Sequence, residues 1–217
     1  ARYDYVMTNS PDERGIDVAL MYSPYSFRLI GSHSVRVKPI KGMRPTRDIL
    51  YASGVTASGD TLHVIVVHLP SRRGGEKYSR PFRMMAARQV AAVIDSIYNK
   101  VSAEAKIIVA GDFNDYSNSE SMQLLCSKRM IGVSKGAKGH NGAKGTYRYQ
   151  GLWGSLDHIL VSIPLADIAT ECYVNDAEFL IERDEKYGGV KPRRNYLGPR
   201  YLNGFSDHLP LVARFQW

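Results

Sequence analysis

Six short apolar runs are the feature of the sequence that most limits its fold. Each run is rich in β-branched residues and is bounded by Gly, Pro, Ser or Asp, which is typical of β-strands. The runs cover residues 16–22, 49–55, 62–69, 106–110, 156–161 and 209–215. The chain is therefore expected to fold around β-sheet.

One long helix is predicted between the third and fourth runs. Apolar residues recur over residues 82–101 at the spacing of one helix face, for about five turns. A shorter helix is predicted over residues 119–128. Residues 131–145 and 183–205 have the composition of loops, and long loops in a compact domain are more often functional than idle. The pattern predicts an α/β or α+β fold, with residues 1–217 forming a single domain.

Length and composition limit the classes of protein to which the chain can belong. With 217 residues and 44% apolar content, the chain can bury a sizeable core. No run approaches the roughly 18 apolar residues of a membrane-spanning helix, and residues 1–5 lack the apolar core of a signal peptide. Cys126 and Cys172 lack zinc-type spacing, which favours two separate buried thiols over a zinc site or a disulfide.

The chain is basic, with a net charge of +8 and a pI near 9.4. A positive field raises the local concentration of phosphorylated or polyanionic ligands, although the same charge can simply provide solubility. The basic residues cluster at 72–88 and at 183–200, which favours a nucleic-acid partner modestly.

Polar side chains stand at the margins of four predicted strands. His68 ends one strand, the turn Gly111-Asp112-Phe113-Asn114 follows another, Asp157 lies within a third, and Asp207-His208 precedes the last. Alone, the turn and the two histidines have ordinary structural interpretations as a plain turn, a satisfied edge residue and a polar strand entry. An unpaired buried Asp157, however, would cost several kcal/mol. The four features together predict one site.

Hydrolysis of a phosphate ester is the chemistry that suits these residues. Asp112 and Asp207 could supply the oxygen ligands that a hard divalent cation prefers. His208, held by the carboxylate of Asp157, could take a proton or brace the transition state. Asn114 and His68 could contact phosphate oxygens.

The chain resembles the endonuclease/exonuclease/phosphatase superfamily, which has the deoxyribonuclease I-like fold. The resemblance rests on residues 66–72, 111–114, 155–162 and 206–210, and it is closest to uncharacterised hydrolases of Bacteroides-like bacteria with runs similar to residues 13–20 and 145–147. It implies a four-layer α/β sandwich of two mostly antiparallel sheets flanked by helices. Since relatives of this kind are often exported, an exported or periplasmic location is the expectation.

The resemblance also implies site roles and a cofactor, Mg²⁺ with Mn²⁺ as the alternative. His208 and Asp112 match catalytic residues, Asp157 the carboxylate that orients the histidine, Asp207 a metal ligand, His68 the second active-site histidine, Asn114 a substrate contact, and Arg47 an arginine that contacts phosphate.

One departure from the superfamily is large. Its fold begins with a strand that ends in an asparagine and a second strand that ends in a metal-binding glutamate, and neither is found here. The N-terminal part of the fold is therefore expected to be missing from this chain, and a complementary N-terminal segment of the same gene product is expected to accompany it.

Two functional hypotheses follow. The first is a Mg²⁺-dependent phosphoesterase acting on a phosphodiester or phosphomonoester, with a nuclease among the options. DNA or RNA, a phosphoinositide, a sphingomyelin-type lipid and a small phosphodiester all stay open as substrates. The alternative is a non-catalytic module that binds phosphate or nucleic acid and has lost its metal-binding glutamate.

Overall fold

The computed structural model describes residues 2–217, so Ala1, the first residue of the predicted domain, lies outside it. The strands are β1 Asp4–Met7, β2 Ala19–Tyr22, β3 Phe27–Val35, β4 Ile49–Thr56, β5 Thr61–His68, β6 Lys106–Asp112, β7 Met130–Gly132, β8 Tyr147–Tyr149, β9 Leu152–Gly154, β10 Asp157–Ser162, β11 Ala169–Val174, β12 Ile181–Arg183, β13 Val190–Pro192, β14 Tyr196–Leu197, β15 Arg200–Tyr201 and β16 Leu211–Phe215. The helices are α1 Glu76–Lys100, α2 Glu120–Cys126 and α3 Ile163–Ala166, with a 3-10 turn at Glu178–Leu180.

Within residues 2–217, the largest sheet has six strands in the order β3-β4-β5-β6-β10-β7. Its neighbouring strands are antiparallel except for β5 and β6, which run parallel. A parallel pair needs a crossover, and α1 provides it between the end of β5 and the start of β6. The carboxyl ends of β5 and β6 therefore meet at one edge of the sheet.

The core lies on both faces of this sheet, as the period-two alternation of a strand requires. In β5, Ile65 and Val67 pack in the cluster that includes the apolar face of α1. Val64 and Val66 point to the opposite face, where they pack with Leu20 of β2 and other residues. Each face is covered, so residues 64–67 form a continuous apolar run rather than alternating with polar residues.

Two smaller sheets lie on the second face. The pairs β1–β2 and β11–β16 contribute Tyr22 and Phe215 to the cluster there. The predicted fold class, an α+β arrangement of mostly antiparallel sheets packed face to face with helices outside, is confirmed. No helix within residues 2–217 is both long and apolar enough to cross a lipid bilayer.

The predicted strands and helices are confirmed with shifted ends. The long helix begins at Glu76, earlier than predicted, and contains Pro81. The nine-residue strand β3 was not predicted, because it lies at the sheet edge, carries few apolar residues and is interrupted by a register shift between Leu29 and Gly31.

Cys126 and Cys172 are separate free thiols, but the expectation that both are buried is wrong, since Cys126 is exposed at the end of α2.

The prediction of a loop over residues 183–205 is wrong in part. The segment contains β13, the end of β12 and the hairpin β14–β15. These strands are two or three residues long, too short to leave an apolar run in the sequence. Positive φ angles of 71° and 70° at Gly188 and Gly189 form the turn between β12 and β13.

The outward face of the β1–β2 pair is apolar and exposed. Tyr5 and Met21 are 66% and 70% exposed, respectively. The expectation of a complementary N-terminal segment stays a prediction.

Gly111 is the position where β6 approaches β5 most closely. Its φ is +140°, and a Cβ atom built there would lie 1.9 Å from the carbonyl oxygen of Val67. Only glycine allows this approach, because any side chain would push the two strands apart. The parallel register that pairs His68 with Asp112 depends on it.

Replacing Gly111 with alanine should therefore destabilise the protein by about 3 kcal/mol or more, since backbone rather than a flexible side chain has to move. Gly132→Ala is a matched control in the same sheet, because its Cβ would make an ordinary 3.4 Å contact with Leu160. It should change stability by less than about 1 kcal/mol. Urea unfolding followed by circular dichroism measures both, and equal losses would contradict the proposed role of Gly111.

Candidate active site

Three strand ends converge at one edge of the six-stranded sheet. His68 ends β5, Asp112 ends β6, and Asp157 begins β10. The parallel register sets His68 beside Asp112, and the antiparallel register sets Asp157 beside Asp112 on its other side. The sheet alone therefore brings together three of the predicted residues.

His208 joins this edge from the segment before β16. Its Nδ1 lies 2.7 Å from Oδ2 of Asp157, and the two side chains are 21% and 20% exposed. Nδ1 is the donor when Asp157 is ionised, which leaves Nε2 as the other hydrogen-bonding atom of the ring. The predicted pairing of a histidine with an orienting carboxylate is thus present in the structure.

Thr146 and Tyr147 hold this pair in place, and sequence reasoning assigned them no role. The carbonyl oxygen of Thr146 accepts a 2.7 Å hydrogen bond from the backbone N–H of Leu209. Its buried hydroxyl accepts from the backbone N–H groups of Leu156 and Asp157 at 3.3 and 3.4 Å. One residue thus connects the segments that carry His208 and Asp157.

Tyr147 contacts the histidine directly. It forms a β-bridge with His208, and the two rings lie 4.8 Å apart between centroids. Residues 145–147 were one of the stretches on which the family resemblance rests, so the sequence did mark this run. The residue types alone did not indicate that Tyr147 contacts His208.

Asp112 and Asn114 form a turn and a polar site at once. The backbone N–H of Asn114, whose φ is +50°, donates to Oδ1 of Asp112 at 2.8 Å. The Asn114 amide donates to Oδ2 of Asp112 at 3.2 Å and to the carbonyl oxygen of Leu69 at 3.0 Å. The plain turn interpretation is therefore confirmed, and the site role of Asp112 and Asn114 stays a prediction.

Arg47 lies beneath His68 rather than open to solvent. Its guanidinium donates to the backbone oxygens of His68 and Leu69 at 3.1 and 2.6 Å, and to Asp12 at 3.0 Å. The side chains of Arg47 and Asp12 are 3% and 4% exposed. The predicted phosphate contact of Arg47 stays a prediction, and its contacts give it a role in positioning the backbone at His68.

The surroundings shift the pKa values of the ionisable groups in the site in different directions. Burial, with the neighbouring Asp157 carboxylate adding to it, raises the pKa of Asp112 to about 6. Burial, together with the positive charges of Arg47 and Arg14, lowers the pKa of His68 to about 4. Burial would also lower the pKa of His208, but the hydrogen bond and charge of Asp157 outweigh it and raise that pKa. Such divergence is typical of acid–base sites.

A divalent cation fits the donor set at this edge. Asp112, Asp157 and His208 each offer one ligand atom, and these atoms lie within 4.8 Å of one another. Carboxylate oxygens suit a hard divalent ion, and Asp112 can offer one while Asp157 stays hydrogen-bonded to His208. A cation there would also offset the negative charge that faces Asp112 from Asp157. Asp207 is not in this group; its side chain is exposed beside His208, and its predicted ligand role stays a prediction.

Comparison with known proteins gives one family and many similar folds. The model of the Endonuclease/Exonuclease/phosphatase family matches residues 1–216. No curated protein matches the sequence.

Solved structures match over nearly the whole chain. A mannosyl-6-phosphatase of Bacteroides thetaiotaomicron is 18% identical with a TM-score of 0.66, covering 99% of this chain and 77% of its own. The catalytic domain of human Nocturnin with bound sulfate is 19% identical with a TM-score of 0.63, covering 99% and 73%. An endonuclease/exonuclease/phosphatase family protein of B. thetaiotaomicron is 17% identical with a TM-score of 0.65, covering 97% and 74%. At these identities the similarity establishes the fold.

The Asp157→Asn variant should lower the pKa of His208. Without the carboxylate, burial becomes the dominant influence, so the pKa should fall from above its usual value to below about 6.5. NMR titration of the His208 imidazole in metal-free protein measures the shift. A pKa that stays raised in the variant would show that another group stabilises the imidazolium.

Affinity for Mn²⁺ should depend on pH through Asp112. With the pKa of Asp112 raised to about 6, a cation must displace a proton below that pH, so affinity should fall by about tenfold per pH unit there and level off above it. Calorimetric titration of Mn²⁺ at pH 5, 6 and 7 tests this. The control Asp112→Asn should bind weakly with no such dependence, and a parent affinity that is flat across this range would contradict the assignment.

Proposed function

The chain belongs to the endonuclease/exonuclease/phosphatase family, and we propose that it is a Mg²⁺-dependent hydrolase of phosphate esters. The observation that carries the proposal is the Asp157–His208 pair, 2.7 Å apart, facing Asp112 across adjacent strands. A structural ion pair would not need a second carboxylate beside it. An acid–base site does.

Asp112 is the proposed general base. A base works best when its pKa lies near the operating pH, because it is then both unprotonated and able to accept a proton. The raised pKa of Asp112, about 6, meets that condition far better than an ordinary carboxylate would. Asp112 would take the proton of the attacking water.

His208 is the proposed donor to the phosphoryl group. Its raised pKa keeps the ring protonated to a higher pH than usual, and Asp157 fixes its orientation. An imidazolium with Nε2 directed into the cleft can donate to an oxygen on which negative charge develops. Asp157 orients the ring and does not itself transfer the proton.

His68 and Asn114 are the proposed contacts to the remaining phosphate oxygens. His68, with its pKa lowered to about 4, is neutral at pH 7 and can donate a hydrogen bond without carrying charge. The carbonyl oxygen of Leu69 links the two contacts. It accepts one hydrogen bond from Arg47, which positions the backbone next to His68, and another from the side-chain amide of Asn114. A divalent cation, with Asp112 and the exposed Asp207 among its proposed ligands, would neutralise charge on the phosphoryl oxygens.

The type of ester is the finer part of the proposal. One solved relative is a mannosyl-6-phosphatase, which makes a phosphomonoester a reasonable alternative to a phosphodiester. The basic character of the chain, +8 overall, supports a nucleic-acid substrate and hence a nuclease.

The His208→Ala variant should lower kcat by about three powers of ten while the protein stays folded. Turnover of bis-p-nitrophenyl phosphate and of p-nitrophenyl phosphate, with Mg²⁺ and with chelator, measures the loss and separates diesterase from monoesterase. His33→Ala, at an exposed histidine on β3, is the matched control and should behave as the parent. Activity of His208→Ala within tenfold of the parent would refute the assignment.

The same assay separates the enzyme from a binding module. If the chain is a binding module that has lost catalysis, the parent protein will show no metal-dependent turnover. Native circular dichroism spectra of the parent and both variants would then exclude misfolding as the reason.

A further inference from the structure

A cavity of about 310 Å³ lies beside the segment that follows His68, and the chemistry described above gives it no role. Residues from three separate parts of the chain form its walls, namely 12–14, 42–47 and 70–82. The lining includes Arg14, Arg44 and Arg73 together with the aromatic residues Tyr78 and Phe82.

The cavity adjoins the candidate active site through shared residues. Arg47, which holds the backbone of His68, also lines the cavity, and so does Pro70, two residues after His68. Arg14 and Arg47 are near enough for their charges to act on His68. A ligand group bound in the cavity would therefore lie next to a ligand group bound beside His68.

The lining is positively charged. Four arginines face two carboxylates, those of Asp12 and Glu13, so the net charge of the lining is +2. Asp12 is fully engaged, since it accepts from Arg14 at 3.0 and 3.1 Å and from Arg47 at 3.0 Å. Arg73 is exposed and forms no ion pair with any residue of the described chain 2–217. At least one guanidinium is thus available for an anion.

A hydroxyl in the wall also lacks a partner. Thr46 is 5% exposed, and its Oγ1 makes no hydrogen bond within residues 2–217. An unsatisfied buried hydroxyl costs about 1–3 kcal/mol, so such groups in native proteins call for an explanation. The Thr46 Oγ1 atom itself is enclosed by protein atoms, so Arg73, which is exposed in the lining, is the group that an anion in the cavity can reach directly.

The lining also contains two aromatic rings. Tyr78 and Phe82 pack edge to face with ring centroids 5.2 Å apart, and the Tyr78 hydroxyl donates to the carbonyl oxygen of Gly42 at 3.1 Å. The hydrogen bond connects the start of α1 to the segment 42–47, and both segments line the cavity.

We propose that this cavity is a subsite for a second phosphate group of the substrate, next to the phosphate that is hydrolysed. The inference rests on the proposed function for the identity of the first phosphate. Arginine is suited to the task, because its planar fork binds phosphate oxygens through paired hydrogen bonds, and a net charge of +2 matches a phosphate dianion better than a carboxylate. The natural substrate then carries at least two phosphate groups.

Binding at the subsite can be measured without any catalysis. Inorganic phosphate titrated into the full chain with chelator, at constant ionic strength, should shift the NMR signals of the Nε–H groups of Arg14, Arg44 and Arg73. Arg73→Gln should weaken this binding at least tenfold. Arg88→Gln, which removes an equal charge from the exposed side of α1, should leave it unchanged. Signals that do not move, or an equal loss in both variants, would overturn the subsite.

Competition against turnover of bis-p-nitrophenyl phosphate tests whether the second phosphate belongs to the substrate. The inhibition constant of 5′-phosphorylated dithymidine dinucleotide should be at least tenfold lower than that of the dinucleotide without the terminal phosphate. The ratio should fall to about one in Arg73→Gln and persist in Arg88→Gln. Equal constants in the parent would show that the cavity takes free phosphate only and would overturn the proposal. A parent without turnover would instead refute the proposed function and leave the phosphate titration as the test of the cavity.

Discussion

The close approach of two parallel strands at Gly111 is the constraint on which the rest of the structure depends. It fixes the pairing of β5 with β6, and through β6 the pairing with β10. Because registers in a sheet are all-or-none, a slip of one residue would turn His68 and Asp112 to opposite faces. The positions of the reactive groups are thus a property of backbone pairing rather than of side-chain packing.

The electrostatics of the site follow from the same pairing. Directly opposed carboxylates on adjacent strands repel each other, and in the sheet Asp112 and Asp157 are directly opposed. Burial, with the Asp157 carboxylate adding to it, raises the pKa of Asp112 to about 6, while Asp157 is hydrogen-bonded to His208. Two aspartates at one edge of the sheet therefore lie in different surroundings, since Asp157 is hydrogen-bonded to His208 and Asp112 is bonded to the backbone and amide of Asn114.

Much of this could be predicted from the sequence, because the decisive residues stand at the ends of strands with clear apolar patterns. His68, Asp112, Asp157 and His208 were found that way, and the structure brings them together. What the sequence concealed acts through the backbone. Thr146 works through a carbonyl oxygen and a buried hydroxyl, which leave no pattern in the sequence.

Other features escaped prediction for two further reasons. Arg47 was expected to contact substrate, yet its partner Asp12 lies 35 positions away and could not be paired with it from spacing. Short strands such as β14 lack enough residues to show a period, and β3 is exposed at the sheet edge, where composition is weakly constrained.

The way Arg47 holds the loop after β5 has a consequence for position 68. Its guanidinium grips the main-chain oxygens of positions 68 and 69 and makes no use of the imidazole. The scaffold therefore presents whatever side chain occupies position 68 at the same place, and identity at that position is decoupled from architecture. A different side chain at position 68 would leave these backbone contacts in place, so the group beside Asp112 can change without a change in the fold of this edge.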